Sequence, residues 1–145
     1  MSYHRRAAAD SLAIALKRLD DGVEDARSPL YWAFIAGERA AGRYYIEAKQ
    51  DAAALGIMPH WLPAAAPADC PPQGYARRVA LASMVSARDM FDARLHNAAL
   101  YWAFVGGMLA AGRGYAAAKK EAASFGLMPA HERHRAQPAT TTETA

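Results

Sequence analysis

Three polar residues recur at one spacing in two places of this chain. Arg43, Tyr45 and Lys49 return as Arg113, Tyr115 and Lys119. Two cations with a tyrosine between them can frame an anion or a nucleotide phosphate, because guanidinium and ammonium groups form charge-assisted bonds to oxyanions. The same residue types also suit the boundary of a helical bundle. There, long cationic side chains run along apolar surface and pair with nearby acids. Ahead of each set stands an aromatic block, Leu30-Tyr31-Trp32-Ala33-Phe34 and Leu100-Tyr101-Trp102-Ala103-Phe104. Tyrosine and tryptophan combine a large apolar area with a polar handle and are frequent at binding hot spots. The candidate partner- or ligand-binding residues are therefore Tyr31, Trp32, Tyr101, Trp102, Arg43, Arg113, Tyr45, Tyr115, Lys49 and Lys119.

Other chemistry finds less support. His131 and His134 are three apart, whereas a zinc-protease helix spaces its histidines by four with an acid beside the first. Di-iron bundles need Glu-x-x-His pairs. Glu47 has Gln50 three residues on, and its counterpart in the second copy is Ala117. Asp51 and Glu121 are the only acids shared between the copies over this stretch. Gly37, Gly42, Gly107 and Gly112 lie inside helical patterns, which is the wrong context for a phosphate loop and the right one for close helix packing. Cys70 sits among prolines with no local base, so it reads as an inert loop thiol. No nucleophile, base and oxyanion donors can be placed together. The sequence predicts no metal, no cofactor and no catalytic set.

The elements that position these residues are given by a repeat. Between Leu30 and Pro59, 18 of 30 positions are identical 70 residues later. Upstream the match continues at an offset of 72, with Tyr3, Arg5 and Arg6 against Tyr75, Arg77 and Arg78. The two-residue shift falls between Glu24 and Pro29. A turn tolerates such an insertion and a packed helix does not. Within each unit apolar residues recur every three or four positions: Leu12, Ala15, Leu19 and Val23, then Leu30, Phe34, Gly37, Ala41, Tyr45, Ala48 and Ala52.

This predicts an all-α protein, a four-helix bundle made of two tandemly duplicated helical hairpins. The helices fall at 5–21, 29–55, 75–95 and 98–125, with Ser28 and Asn97 as N-caps of the longer ones. Residues 1–145 read as a single domain: repeat one at 3–59, a proline-rich linker at 57–74, repeat two at 75–129 and a disordered tail at 131–145. Antiparallel packing about the first turn places Arg43 opposite Asp10 and predicts an ion pair. In an up-and-down bundle both aromatic blocks lie at one end, as one cluster. Each block covers most of its helix circumference, so it needs more cover than one bundle stripe, from linker residues such as Trp61 and Leu62 or from a partner.

A net charge of +3 is too small to argue for nucleic acid. The longest uncharged apolar run, Ala98–Gly112, has 15 residues, where a membrane span needs about 20. No secretory pattern opens the chain. The sequence therefore reads as a small cytoplasmic bacterial module without catalysis, binding a protein partner or itself as a homo-oligomer through the aromatic blocks. An aromatic or acyl small molecule held between the blocks is the first alternative. Weak nucleic-acid binding through Arg5-Arg6, Lys17-Arg18 and Arg77-Arg78 is the second.

Overall fold

The computed structural model describes residues 2–22, 27–59 and 71–127. The readings of the first turn at 23–26, of Trp61, Leu62 and Cys70, and of the tail with its two histidines lie outside these residues. Among the described residues there are six helices and no strand. They are α1 (Tyr3–Asp20), α2 (Arg27–Ala40), α3 (Tyr45–Ala54), α4 (Gly74–Asp92), α5 (His96–Ala110) and α6 (Tyr115–Ser124). The described residues are all-helical, with six helices where four were expected.

The difference lies in the second helix of each copy, which breaks after Ala40 and after Ala110. Gly42 and Gly112 take φ of 101° and 93°. The Gly42 amide donates to the Arg39 carbonyl and the Arg43 amide to the Glu38 carbonyl; Gly112 and Arg113 do the same with Leu109 and Met108. This double closure with a left-handed glycine is a Schellman stop. A new helix then starts, with the Glu47 carboxylate accepting from the Tyr44 amide at 2.9 Å in the first copy. Gly42 and Gly112 are therefore terminators, not packing residues.

Gly37 and Gly107 are the packing residues. A β-carbon on Gly37 would overlap the Phe104 carbonyl oxygen, and one on Gly107 would overlap that of Phe34. The two contacts are reciprocal, so α2 and α5 cross backbone to backbone at matched glycines. Around the crossing both helices are buried almost throughout. Tyr31, Phe34, Ile35, Leu100, Tyr101, Phe104, Val105 and Met108 have no exposed surface. Each large aliphatic or aromatic side chain so buried contributes roughly 1.5–3 kcal/mol. The all-round apolar character of the blocks thus has its cover inside the chain: α1 and α3 lie on α2, α4 and α6 on α5, and α2 and α5 on each other.

The outer helices are amphipathic. Ala8, Leu12 and Ala15 face inward from α1, and Ala80, Met84 and Ala87 from α4. The ends cross between copies. Arg5 donates to the Ser124 carbonyl at the end of α6, and the matching Arg77 donates to the Ala54 carbonyl at the end of α3, each at 3.2 Å. A guanidinium at the carboxyl end of a helix satisfies free carbonyls and complements the helix dipole. Ser28 is not a cap before α2, which begins at Arg27; its hydroxyl is buried and without a hydrogen-bond partner. α5 likewise opens at His96, one residue before Asn97.

Candidate functional site

The break after α2 swings Tyr45 back over the aromatic block. The Tyr31 and Tyr45 hydroxyls share a hydrogen bond of 3.0 Å, and the Trp32 ring stacks on Tyr45 at 5.9 Å. The second copy repeats this: Tyr101 and Tyr115 at 3.0 Å, Trp102 on Tyr115 at 6.1 Å. Burial, followed by the bond to Tyr45, pushes the Tyr31 hydroxyl far above the usual phenol range. It stays neutral in any ordinary buffer. Tyr31 and Tyr101 are wholly buried, whereas Trp32 and Trp102 are half-buried with indole N–H groups that lack a partner. The rings thus gather as two separate triads. Among the described residues no ring of one block pairs with a ring of the other, so the single cluster expected across the two copies is not what forms.

Arg43 does not face Asp10. Leaving α2 at the break, its guanidinium meets three acids of its own copy: Asp51 at 3.2 Å, Glu47 at 3.6 Å and Glu38 at 3.8 Å. Arg39 reaches α1 instead, donating to the Ser11 and Tyr3 hydroxyls. The sequence reading missed Glu38. Glu38 and Asp51 are both fully buried. With both ionised, neither carboxyl has a hydrogen-bond partner. A proton on Glu38 supplies the missing donor, and Glu38 then bonds Asp51. Burial first, and the neighbouring Asp51 second, push Glu38 from 4.5 up to about 10. Burial also raises Asp51, opposed by the bond from Glu38 and by Arg43. The arrangement stores one proton between two carboxyls beside one cation. It leaves Arg43 between the carboxylates of Asp51 and Glu47, which disfavours an incoming anion there.

In the second copy the matching positions are Met108, Ala117 and Glu121. Glu121 turns to Arg5 at 3.6 Å. Arg113 is exposed and makes no ion pair with a described residue. Lys49 and Lys119 are half-buried on α3 and α6. Within each copy the tyrosines and tryptophans come together, while Arg43 turns to the acids of its own copy.

One surface feature was not anticipated. Tyr3 and Tyr44 are each just over half exposed, and with His4 they pack ring to ring at 5.2–6.0 Å. Ile46, 61% exposed, follows on α3. Arg39 links this patch to the interior, bonding the Tyr3 hydroxyl while its guanidinium lies 5.7 Å from the Tyr45 ring centroid. In sequence the patch is scattered over α1, the break and α3, and only the Tyr44-Tyr45-Ile46 run hinted at it.

Among the described residues no group of three or more potential metal ligands forms, and no helix is long and apolar enough to cross a membrane. Comparison of the chain with family models, curated proteins and solved structures finds no match.

Proposed function

We propose that this chain is a non-catalytic protein-interaction module that self-associates. We further propose that it is a tandem duplication of one helical hairpin, whose second helix is broken, the two copies forming a bundle about α2 and α5. The reciprocal glycine contacts and the matched Arg5 and Arg77 contacts support the duplication. They are what a two-fold pair of hairpins would make, here joined in one chain.

The observation that carries the interaction reading is the surface ring cluster of Tyr3, His4 and Tyr44, with the exposed Ile46 two residues on. Clustered apolar side chains in water mark contact surfaces, and tyrosine binds at low entropic cost. Through Arg39 the patch meets Tyr45, whose ring stacks on the half-buried Trp32. The aromatic block named from the sequence therefore supplies the inner wall of the contact surface, and Tyr44 and Ile46 supply its face.

Sedimentation velocity across a concentration series is the test, with Tyr44→Ser/Ile46→Ser against the parent chain. Both side chains are more than half exposed, so helicity and melting should hold. The parent should shift to a larger species with concentration, and the double variant should need at least tenfold more protein to do so. A parent chain that stays monomeric throughout, or a variant that associates equally well, overturns the reading.

A further inference from the structure

The raised aromatic surface belongs to one half of the chain. Tyr3, His4, Tyr44 and Ile46 are matched in the second copy by Tyr75, Ala76, Gly114 and Ala116. Tyr75 keeps its place at the start of α4, but no ring stands at 76 or 114 to pack on it. It is 72% exposed against 52% for Tyr3, with the Arg78 guanidinium 5.9 Å from its ring centroid. The matched bonds of the two halves put Gly114 beside Tyr75, as Tyr44 lies beside Tyr3. Where the first copy raises two large side chains, the second has a shallow notch beside a tyrosine.

The fold does not select these small residues. Gly114 has φ −78° and ψ 162°, ordinary extended backbone, and Tyr44 takes the same conformation at φ −86° and ψ 162°. A β-carbon on Gly114 would meet nothing within 4 Å. Glycine is tolerated at a helix N-cap, but serine or asparagine caps better. Charge differs between the two faces as well. Asp10 and Glu47 of the first are Ala82 and Ala117 in the second. Arg43 is balanced by Asp51 and Glu47, whereas Glu121, which matches Asp51, turns from the exposed Arg113 to Arg5. The exposed Arg78 adds another cation. One face is raised and carries acids; the other is recessed and carries arginines.

We propose that these two faces bind each other, head to tail, in neighbouring chains. Tyr44 of one chain lies at Gly114 of the next, against the Tyr75 ring, and Ile46 lies on Ala116. Asp10 and Glu47 come opposite Arg78 and Arg113, which sets the orientation. The occupant of the notch is a second molecule of this chain. Such a heterologous contact leaves the opposite face of each chain free, so assembly proceeds past two chains to a row or a ring. This rests on the self-association reading and specifies which surfaces meet.

The deciding variant is Gly114→Tyr/Ala116→Ile, which writes the first face into the second. Backbone and space accept both side chains, so melting should hold. With its notch filled, the variant should need roughly tenfold more protein to associate. Pairing of like faces predicts the reverse, because a second raised patch would strengthen association. Sedimentation velocity compares the parent, this variant, Tyr44→Ser/Ile46→Ser, and an equimolar mixture of the two variants. The parent should pass beyond a dimer as concentration rises. Each variant keeps one working face, so the mixture should form a heterodimer and stop there. Arg78→Glu/Arg113→Glu, at two exposed positions, should also need roughly tenfold more protein. It replaces the filled variant in the mixture if that variant melts low. A folded filled variant that associates as well as the parent or better would overturn the head-to-tail contact while leaving self-association standing. A parent that stops at a dimer, a mixture without heterodimer, or a charge reversal without effect would do the same. A parent that is monomeric at every concentration overturns both.

Discussion

Replacing Glu38 by glutamine should remove most of the pH dependence of this protein's stability near neutrality. Glu38 is fully buried and held protonated, its pKa raised from 4.5 to about 10. The folded state therefore binds a proton that the unfolded chain releases above pH 4.5. For such a group, stability is fully present below the unfolded value and is lost as pH rises toward the folded one. The ceiling on the slope is about 1.4 kcal/mol per pH unit, the worth of one proton. From pH 5 to pH 8 that amounts to about 4 kcal/mol, against the roughly 5–15 kcal/mol that holds a domain of this size. Asp51, also raised, adds to the loss in the same direction near its own range. Tyr31 contributes nothing here, since both its states are neutral until well above pH 8.

The assay is urea unfolding followed by circular dichroism at half-unit steps from pH 5 to pH 8, on the parent chain and on Glu38→Gln. Glutamine keeps a donor for Asp51 and cannot titrate. The two proteins should agree within about 1 kcal/mol at pH 5 and diverge steadily, the variant being the more stable by up to about 4 kcal/mol at pH 8. The m-value should not change. Parallel curves would refute the reasoning. A variant that is the less stable at pH 8 would show that Glu38 is ionised and bound to Arg43, the opposite assignment of the proton.

Three further outcomes follow from the backbone and the helix ends. Arg94 occupies the left-handed region at φ 66° where the matching residue of the first copy is Gly22 at φ 74°, so Arg94→Gly should stabilise by about 1 kcal/mol in thermal melts. Gly37→Ala should destabilise by about 2 kcal/mol in urea unfolding despite alanine's better helix propensity, because its methyl overlaps the Phe104 carbonyl; a neutral result would mean that α2 and α5 separate freely. Arg5→Ala removes bonds to the end of α6 and a contact over the Phe125 ring at 4.2 Å, and should cost about 1 kcal/mol while speeding amide exchange at Ser124–Leu127.

What the sequence made legible, and what it hid, separates along one physical line. Periodicity and the repeat report which residues are apolar at which spacing, and that is enough to show the helical class and the inward faces of α1 and α4, but not where the long helices break. They do not report backbone conformation. Gly37 and Gly42 recur identically in both copies, yet the first is a crossing point and the second a helix stop. The start signal after Gly42 was concealed as well, because Tyr44 stands where serine or threonine would mark a cap and only Glu47 keeps the pattern. Missing the break displaced everything beyond it. On one continuous helix Arg43 points at α1 and Glu38 lies just off the seam, toward solvent. With the break, Arg43 and Asp51 fold back over Glu38 and bury it. One clue was present in the repeat itself. Glu38 stands opposite Met108, and a position that takes methionine in one copy is a position water does not reach. An acid there signals either a partner or a retained proton. The crossing at Gly37 and Gly107 then explains why such a group is tolerated. α2 is pinned by backbone contact with α5, and Glu38 cannot turn outward without opening the crossing that holds the two copies together.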